Sequence, residues 1–164
     1  MINVSNRYLS INAQKIFEKS CYSKLNYTIN ENANVQNAVV RFSGLNIGCL
    51  AVVDDSDKLV GIFSEGDFIR KVASPEKEAA AIQVKEVCTP ARNILIVNPN
   101  ETLENCMSKM HVKNIRHLVL VEGQKLKGLI SIKDLFRETI EQNKEIIDRL
   151  ADFKIGKGAY FGSE

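Results

Sequence analysis

Residues 61–67 read GIFSEGD and residues 128–134 read GLISIKD. Both write glycine, two apolar residues, serine, two variable residues and aspartate, and the second copy starts 67 positions after the first, at 128 against 61. Self-similarity at a fixed offset marks one supersecondary unit written twice. The match extends upstream. Val35, Ala38, Val39 and Phe42 follow helical spacing, as do Leu103, Cys106, Met107 and Met110, each displaced by 68 (35 to 103). Asn34 and Thr102 precede these runs as candidate N-caps. The one-residue difference falls in a turn, where DDSDK (54–58) is answered by EGQK (122–125).

Each unit reads strand, helix, strand, turn, strand, helix. In the first, LNYTI (25–29) precedes a helix over 34–45, and CLAVV (49–53) and LVGIF (59–63) form a hairpin before a helix starting near Ser64. In the second, NILIV (93–97) precedes a helix over 102–112, and HLVLV (117–121) and LKGLI (126–130) lead into a long helix from about Ser131. One unit has too few strands to bury its helices and its sheet, whereas two packed face to face close a common core. The expectation is an α/β fold of two β-α-β-β-α units related by pseudo-two-fold symmetry. Its parts are an N-terminal extension over 1–15, a first repeat over 16–74, a connector over 75–83 that carries Pro75, a second repeat over 84–153 with an extended helix, and a flexible tail over 154–164.

Composition narrows the function. The 164 residues suffice for a core, and 45% hydrophobic with 26% charged residues is that of a soluble globular chain. A balance of 22 basic against 20 acidic residues implies neither a nucleic-acid surface nor a polyanionic partner. Apolar runs such as ILIV (94–97) and LVLV (118–121) have strand length, so no membrane span is expected. Cys21, Cys49, Cys88 and Cys106 form no CxxC pair and are expected as buried thiols of a reducing compartment rather than metal ligands. His111 and His117 could be paired with Cys106 or Cys88, but nothing orients such a dyad. GKG (156–158) lacks the spacing of a phosphate loop. The first twenty residues are Ser- and Asn-rich, with Arg7, Lys15 and Lys19 against Glu18. That is the composition of a transit peptide. Ile11, Ile16 and Phe17 instead continue a leading helix toward the first strand, and this favours a cytoplasmic protein.

The repeated heptad has two physical readings. Serine followed three residues later by an acid, at a strand-to-helix junction, is nearly a capping box, which makes Ser64, Asp67, Ser131 and Asp134 helix caps. The same geometry serves a ligand. Free N–H groups and the positive dipole end favour phosphate, the hydroxyl can donate to it, and the aspartate can accept from both hydroxyls of a ribose.

The order G-h-h-S-x-x-D, twice, with VKEVCTP (84–90) and NIRHLVLV (114–121) between the copies, resembles the cystathionine-β-synthase (CBS) domain family over about residues 16–153. GIFSEGD and IRHLVLV are similar to GIFSERD and IRHLPVV of its small stand-alone pairs. The resemblance implies a regulatory module without catalytic activity or catalytic cofactor. It would bind AMP, ADP, ATP, NAD(H) or S-adenosylmethionine in clefts between the repeats and pass this on as a change of shape or partner. It also implies a homodimer and an unidentified regulated protein; the alternatives are a ligand-free interaction module and a regulator of a redox enzyme. Carried over by motif, Ser64 and Ser131 approach phosphate and Asp67 and Asp134 hold ribose, with Thr89, Ile94, Asn114, Arg116, His117 and Lys133 completing the sites.

Departures from the family pattern are Gly66 where arginine is usual, Val119 for a strand proline and Cys88 for a methionine. Gly66 stands opposite Lys133, and Gly48 and Cys49 opposite Arg116 and His117, so the second repeat is expected to supply the stronger phosphate site. On the last helix Ile140, Ile147 and Leu150 form an apolar stripe, with Ile146 and Phe153 beside it, which suits core packing or a subunit contact.

Overall fold

A computed structural model describes residues 11–154 apart from Pro75 and Lys77. The start of the expected targeting segment, Pro75 of the connector, GKG, the tail beyond residue 154 and the Phe153 side chain lie outside the described residues.

The repeat is visible down to the caps. Helix α2 (Val35–Leu45) starts at Asn34, whose side chain accepts from the Asn37 N–H, and ends at Asn46 in the left-handed region at φ 52°. Helix α5 (Leu103–Lys113) starts at Thr102, which accepts from the Asn105 N–H, and ends at Asn114 at φ 50°. Asparagine tolerates that conformation better than other side chains with a Cβ, so both helices stop at the same place.

Strands β1 (Thr28–Asn30), β2 (Cys49–Val53), β3 (Leu59–Ser64) and β4 (Thr89–Pro90) form one sheet in that order, with β1 parallel to β2 and the other pairs antiparallel. Strands β5 (Ile96–Val97), β6 (His117–Glu122) and β7 (Lys125–Ser131) form the second, with β5 parallel to β6 and β7 antiparallel. The hairpins carry matching register shifts, at Val52/Val53 and at Leu120/Val121. All five residues of β2 are buried, as a central strand requires.

Two expected strands are shorter than their apolar runs. LNYTI forms a strand only from Thr28, with the Tyr27 carbonyl accepting from the Ala51 N–H just before it, because the Asn26 carboxamide accepts from the Thr28 N–H and hydroxyl and holds a turn there. In NILIV only Ile96 and Val97 form a strand; Ala91–Asn93 is a 3-10 turn that starts after Pro90, and Ile94 and Leu95 lead from it into β5, the Leu95 carbonyl already accepting from the Val119 N–H at 3.2 Å.

Each repeat is completed by the segment that precedes the other. Helix α1 (Ala13–Lys19) buries Ala13 and Ile16 in a cluster with Leu103, Cys106, Leu118 and Leu135 of the second repeat. Helix α4 (Val84–Val87) buries Val84 and Val87 against the first repeat, and β4 extends the first sheet. The hydrogen bonds mirror each other: the Ala13 N–H donates to the Glu101 carbonyl at 2.8 Å and the Val84 N–H to the Ala33 carbonyl at 2.8 Å. Val119 and Leu129 of the second sheet join the first cluster, so the two cores interlock. Helices α3 (Glu65–Lys71) and α6 (Ile132–Lys154) start from β3 and β7 and bring the two heptads to the seam.

Candidate functional site

Both heptads form the capping arrangement. The Ser64 N–H and hydroxyl donate to Asp67 Oδ2 at 3.1 and 2.8 Å, and the Asp67 N–H donates back to Ser64 Oγ at 3.2 Å. Ser131 donates to Asp134 Oδ2 at 2.8 and 2.7 Å through the same two groups, and the Asp134 N–H returns at 3.4 Å. Each aspartate is only 2% exposed. Burial of a carboxylate needs partners, and each has them.

The partners differ. Asp67 Oδ1 accepts from Lys71 at 2.9 Å and from the Thr89 hydroxyl at 3.1 Å, and Arg70 stands at 3.5 Å. Burial alone would raise the Asp67 pKa, but the hydrogen bonds from Lys71 and Ser64 and the Lys71 charge outweigh it and hold the carboxyl below its ordinary range. Asp134 accepts from the Ser20 hydroxyl at 3.0 Å and from Arg137 at 3.2 Å. Ser20 therefore stands to Asp134 as Thr89 stands to Asp67. Both follow a short helix that crosses to the opposite repeat, and this shared position is the signal that could have found Ser20.

Two clefts open beside the heptads. The larger holds about 490 Å³ and gathers Ser64, Asp67, Thr89, Ile94, Asn114, Arg116 and His117, seven of the ten residues expected at a ligand site. Sequence reasoning missed its other polar residues, chiefly Arg70, Arg92 and Lys113. Arg70 answers the absence of arginine at Gly66. Its guanidinium Nη1 lies 3.0 Å from where a Cβ on Gly66 would stand, so a cation from one turn further along covers the helix start. Ile62, Ile94, Leu95, Ile115 and Val119 supply an apolar wall.

The smaller cleft holds about 210 Å³ and takes Ser131 and Lys133, again with Arg116 and His117. Asp134 is not among its lining residues. The expected grouping of Ser131, Lys133, Asp134 and Arg116 is thus only partly assembled. A third, more open groove of about 660 Å³ lies at the β1 edge, away from both heptads, and carries Asp54, Asp55 and Asp57. It has no helix N-terminus of the heptads and one cation, Arg41, whose guanidinium is turned to the carbonyls of Asn26 and Thr28.

His117 is the shared wall. Its Nε2 lies 3.3 Å from the Tyr22 hydroxyl, and burial, followed by the Arg116 charge, pushes its pKa down from 6.5 to about 4. Burial moves the Tyr22 hydroxyl upward, so both groups are neutral near pH 7. The cysteines are less uniform than expected: Cys49 and Cys106 are buried, while Cys21 is exposed and Cys88 is half-buried. Cys21 stands on the 3-10 turn Cys21–Lys24, which buries Tyr22 instead. Among the described residues, no helix is long and apolar enough to cross a membrane.

Two interlocked β-α-β-β-α repeats, with a capped helix start facing a cleft at each seam, define a tandem-repeat α/β module. The family model of the CBS domain matches residues 23–74 and 84–141, and the chain belongs to the CBS-domain family. The mitochondrial CBS domain-containing protein CBSX3 of Arabidopsis thaliana is 27% identical over 118 residues, which cover 71% of this chain and 57% of that protein. A solved CBS-domain protein from Burkholderia ambifaria is 33% identical, with a TM-score of 0.71, over 79% of this chain and 94% of its own. The CBS domain of a bacterial CNNM/CorC family Mg²⁺ transporter, solved in complex with ATP, shares the fold at 14% identity and a TM-score of 0.64, over 79% of this chain and 87% of its own.

Proposed function

We propose that this chain is a regulatory module that binds an adenine nucleotide in the 490 Å³ cleft and has no catalysis of its own. The observation that carries the reading is the convergence there of the Ser64 helix start and Asp67 with four cations, Arg70, Arg92, Lys113 and Arg116. The volume falls within the roughly 300–1,000 Å³ of small-molecule sites. Ile62, Ile94 and Val119 suit the face of a base. Asp67 and Thr89 suit ribose hydroxyls, and the cations suit phosphates at the dipole end of α3. The relative solved with ATP supports this class of ligand. Cations around the cleft disfavour the positively charged S-adenosylmethionine and favour ADP and ATP over AMP.

A thermal-shift panel of AMP, ADP, ATP, NADH and S-adenosylmethionine tests this. A ligand at a hundred times its dissociation constant stabilises by about 2.7 kcal/mol, and the expected order is ATP and ADP above AMP, with S-adenosylmethionine last. Flat melting curves throughout would leave the heptads as helix caps of a ligand-free interaction module.

The output would be a change of shape or partner, which needs a nucleotide that binds one state better than another. Helix α6 offers a subunit contact: Phe136, Ile140, Ile147 and Leu150 are 59%, 51%, 63% and 61% exposed and recur at helical spacing. A homodimer through this stripe is part of the proposal, and Ile147→Glu is expected to sediment as a folded monomer. The mitochondrial relative supports an organellar location over a cytoplasmic one, with α1, whose Ala13 and Ile16 belong to the core, kept as part of the fold.

A further inference from the structure

The repeats match at caps, register shifts and crossing segments, and differ where they face their clefts. At the larger cleft the turn Ala91–Asn93 presents Arg92 and Asn93. At the smaller cleft the corresponding turn, Cys21–Lys24, presents Tyr22, which is 2% exposed. Its ring meets His117 edge to face, with centroids 6.2 Å apart and an interplanar angle of 87°. The place beside Gly48, opposite Arg116 in the repeat, is also taken. A Cβ there would stand 3.2 Å from the Glu65 carboxylate and 3.5 Å from His117 Cε1. Glu65 begins α3, and the residue that begins α6 is Ile132, so only the smaller cleft receives a carboxylate from the opposite helix start. Arg116 and His117 line both clefts.

We infer that one chain takes one nucleotide, in the larger cleft, and that Tyr22 and Glu65 close the smaller cleft to a second. The inference rests on the nucleotide reading above. Three physical terms agree. A volume of about 210 Å³ is below that of ordinary small-molecule sites, roughly 300 Å³ and upward. The Glu65 carboxylate repels a phosphate brought to Ser131 and Lys133. Arg116 is one guanidinium between two clefts, and engaging phosphates on one side withdraws it from the other. The functional consequence is a hyperbolic response within each chain, with no second ligand to modulate it.

Calorimetric titration of the full chain with ATP tests this through stoichiometry and through two matched charge reversals on exposed residues, Arg92→Glu in the larger cleft and Lys133→Glu in the smaller. One ATP per chain is expected, with affinity lowered at least tenfold by Arg92→Glu and changed less than threefold by Lys133→Glu. Both variants change net charge equally, so a general field effect would move them together. Two ATP per chain, or a Lys133→Glu loss equal to that of Arg92→Glu, overturns the single-site inference and leaves the nucleotide reading standing. No binding of ATP by the unmodified chain overturns both.

Discussion

Asp67 and Asp134 close the same heptad, cap the same kind of helix and are equally buried, yet only Asp67 lines a cleft of nucleotide size. Capping and ligand binding are therefore separable uses of one motif. The cap is satisfied in both copies by local hydrogen bonds. What opens one cleft and fills the other comes from outside that cleft's own heptad: Arg92 on one crossing turn, Tyr22 on the other with Glu65 from the opposite heptad, and Arg116 between them.

The sharpest way to break this comparison is to press on the two crossing segments. A Cβ on Gly61 would lie 2.3 Å from the Thr89 backbone carbonyl, whereas one on Gly128 would lie 2.5 Å from the half-buried Phe17 ring. Backbone paired in a sheet cannot step aside as a side chain can. Gly61→Ala is expected to cost about 3 kcal/mol and Gly128→Ala about 1 kcal/mol in urea unfolding. Gly61→Ala should also weaken nucleotide binding, because displaced β4 takes Thr89 away from Asp67. Equal losses would show that the two crossings are mechanically alike.

The shared wall gives a pH test of slightly smaller size. Unfolded His117 takes up its proton near pH 6.5 and folded His117 near 4, so its contribution to stability is complete above 6.5 and is lost as pH falls toward 4. The groups that act on it are Arg116, Lys133 and Asp134, with Tyr22 on Nε2. Stability should fall by about 2 kcal/mol between pH 7.5 and 5, and His117→Gln should flatten that slope. Asp67, held below its ordinary range, contributes above pH 4 and is lost only in more acid solution, so the two effects occupy different windows. An unchanged slope in His117→Gln would mean that the ring is not held neutral by the fold.

The helix ends give the smallest effect. Asn46→Gly and Asn114→Gly keep the left-handed caps, so each should change stability by less than about 0.5 kcal/mol. Asn114 lines the larger cleft and Asn46 the smaller. A severalfold loss of ATP affinity is expected for Asn114→Gly alone.

What was legible in the sequence follows from range. Caps at Asn34 and Thr102, the hairpins and the heptads are set by neighbours within a few residues, and periodicity and spacing reveal them. NILIV looked like one strand because its apolar side chains are also what a cleft wall needs, and Ile94 and Leu95 serve there. Ser20 is hard to see because its partner, Asp134, lies 114 positions away, and only its position after a crossing helix, shared with Thr89, points to it. Gly66 read as a lost cation because alignment compares positions, while Arg70 fills the same space from the next turn. Tyr22 belongs to no motif in the sequence, and its place at the smaller cleft shows only in the fold.

The central claim is that the first heptad, not the second, holds the nucleotide, and the most direct measurement is calorimetric titration of ATP into Asp67→Asn and Asp134→Asn side by side. Both changes weaken a helix cap, typically by about 1 kcal/mol, so their melting temperatures should fall together. A hydrogen bond to a charged group contributes about 1.5–3 kcal/mol, so Asp67→Asn should lose tenfold to a hundredfold in affinity and Asp134→Asn less than threefold. A loss for Asp134→Asn that equals or exceeds that of Asp67→Asn, the order that Lys133 and Arg116 suggest when the sequence is read alone, would contradict the account.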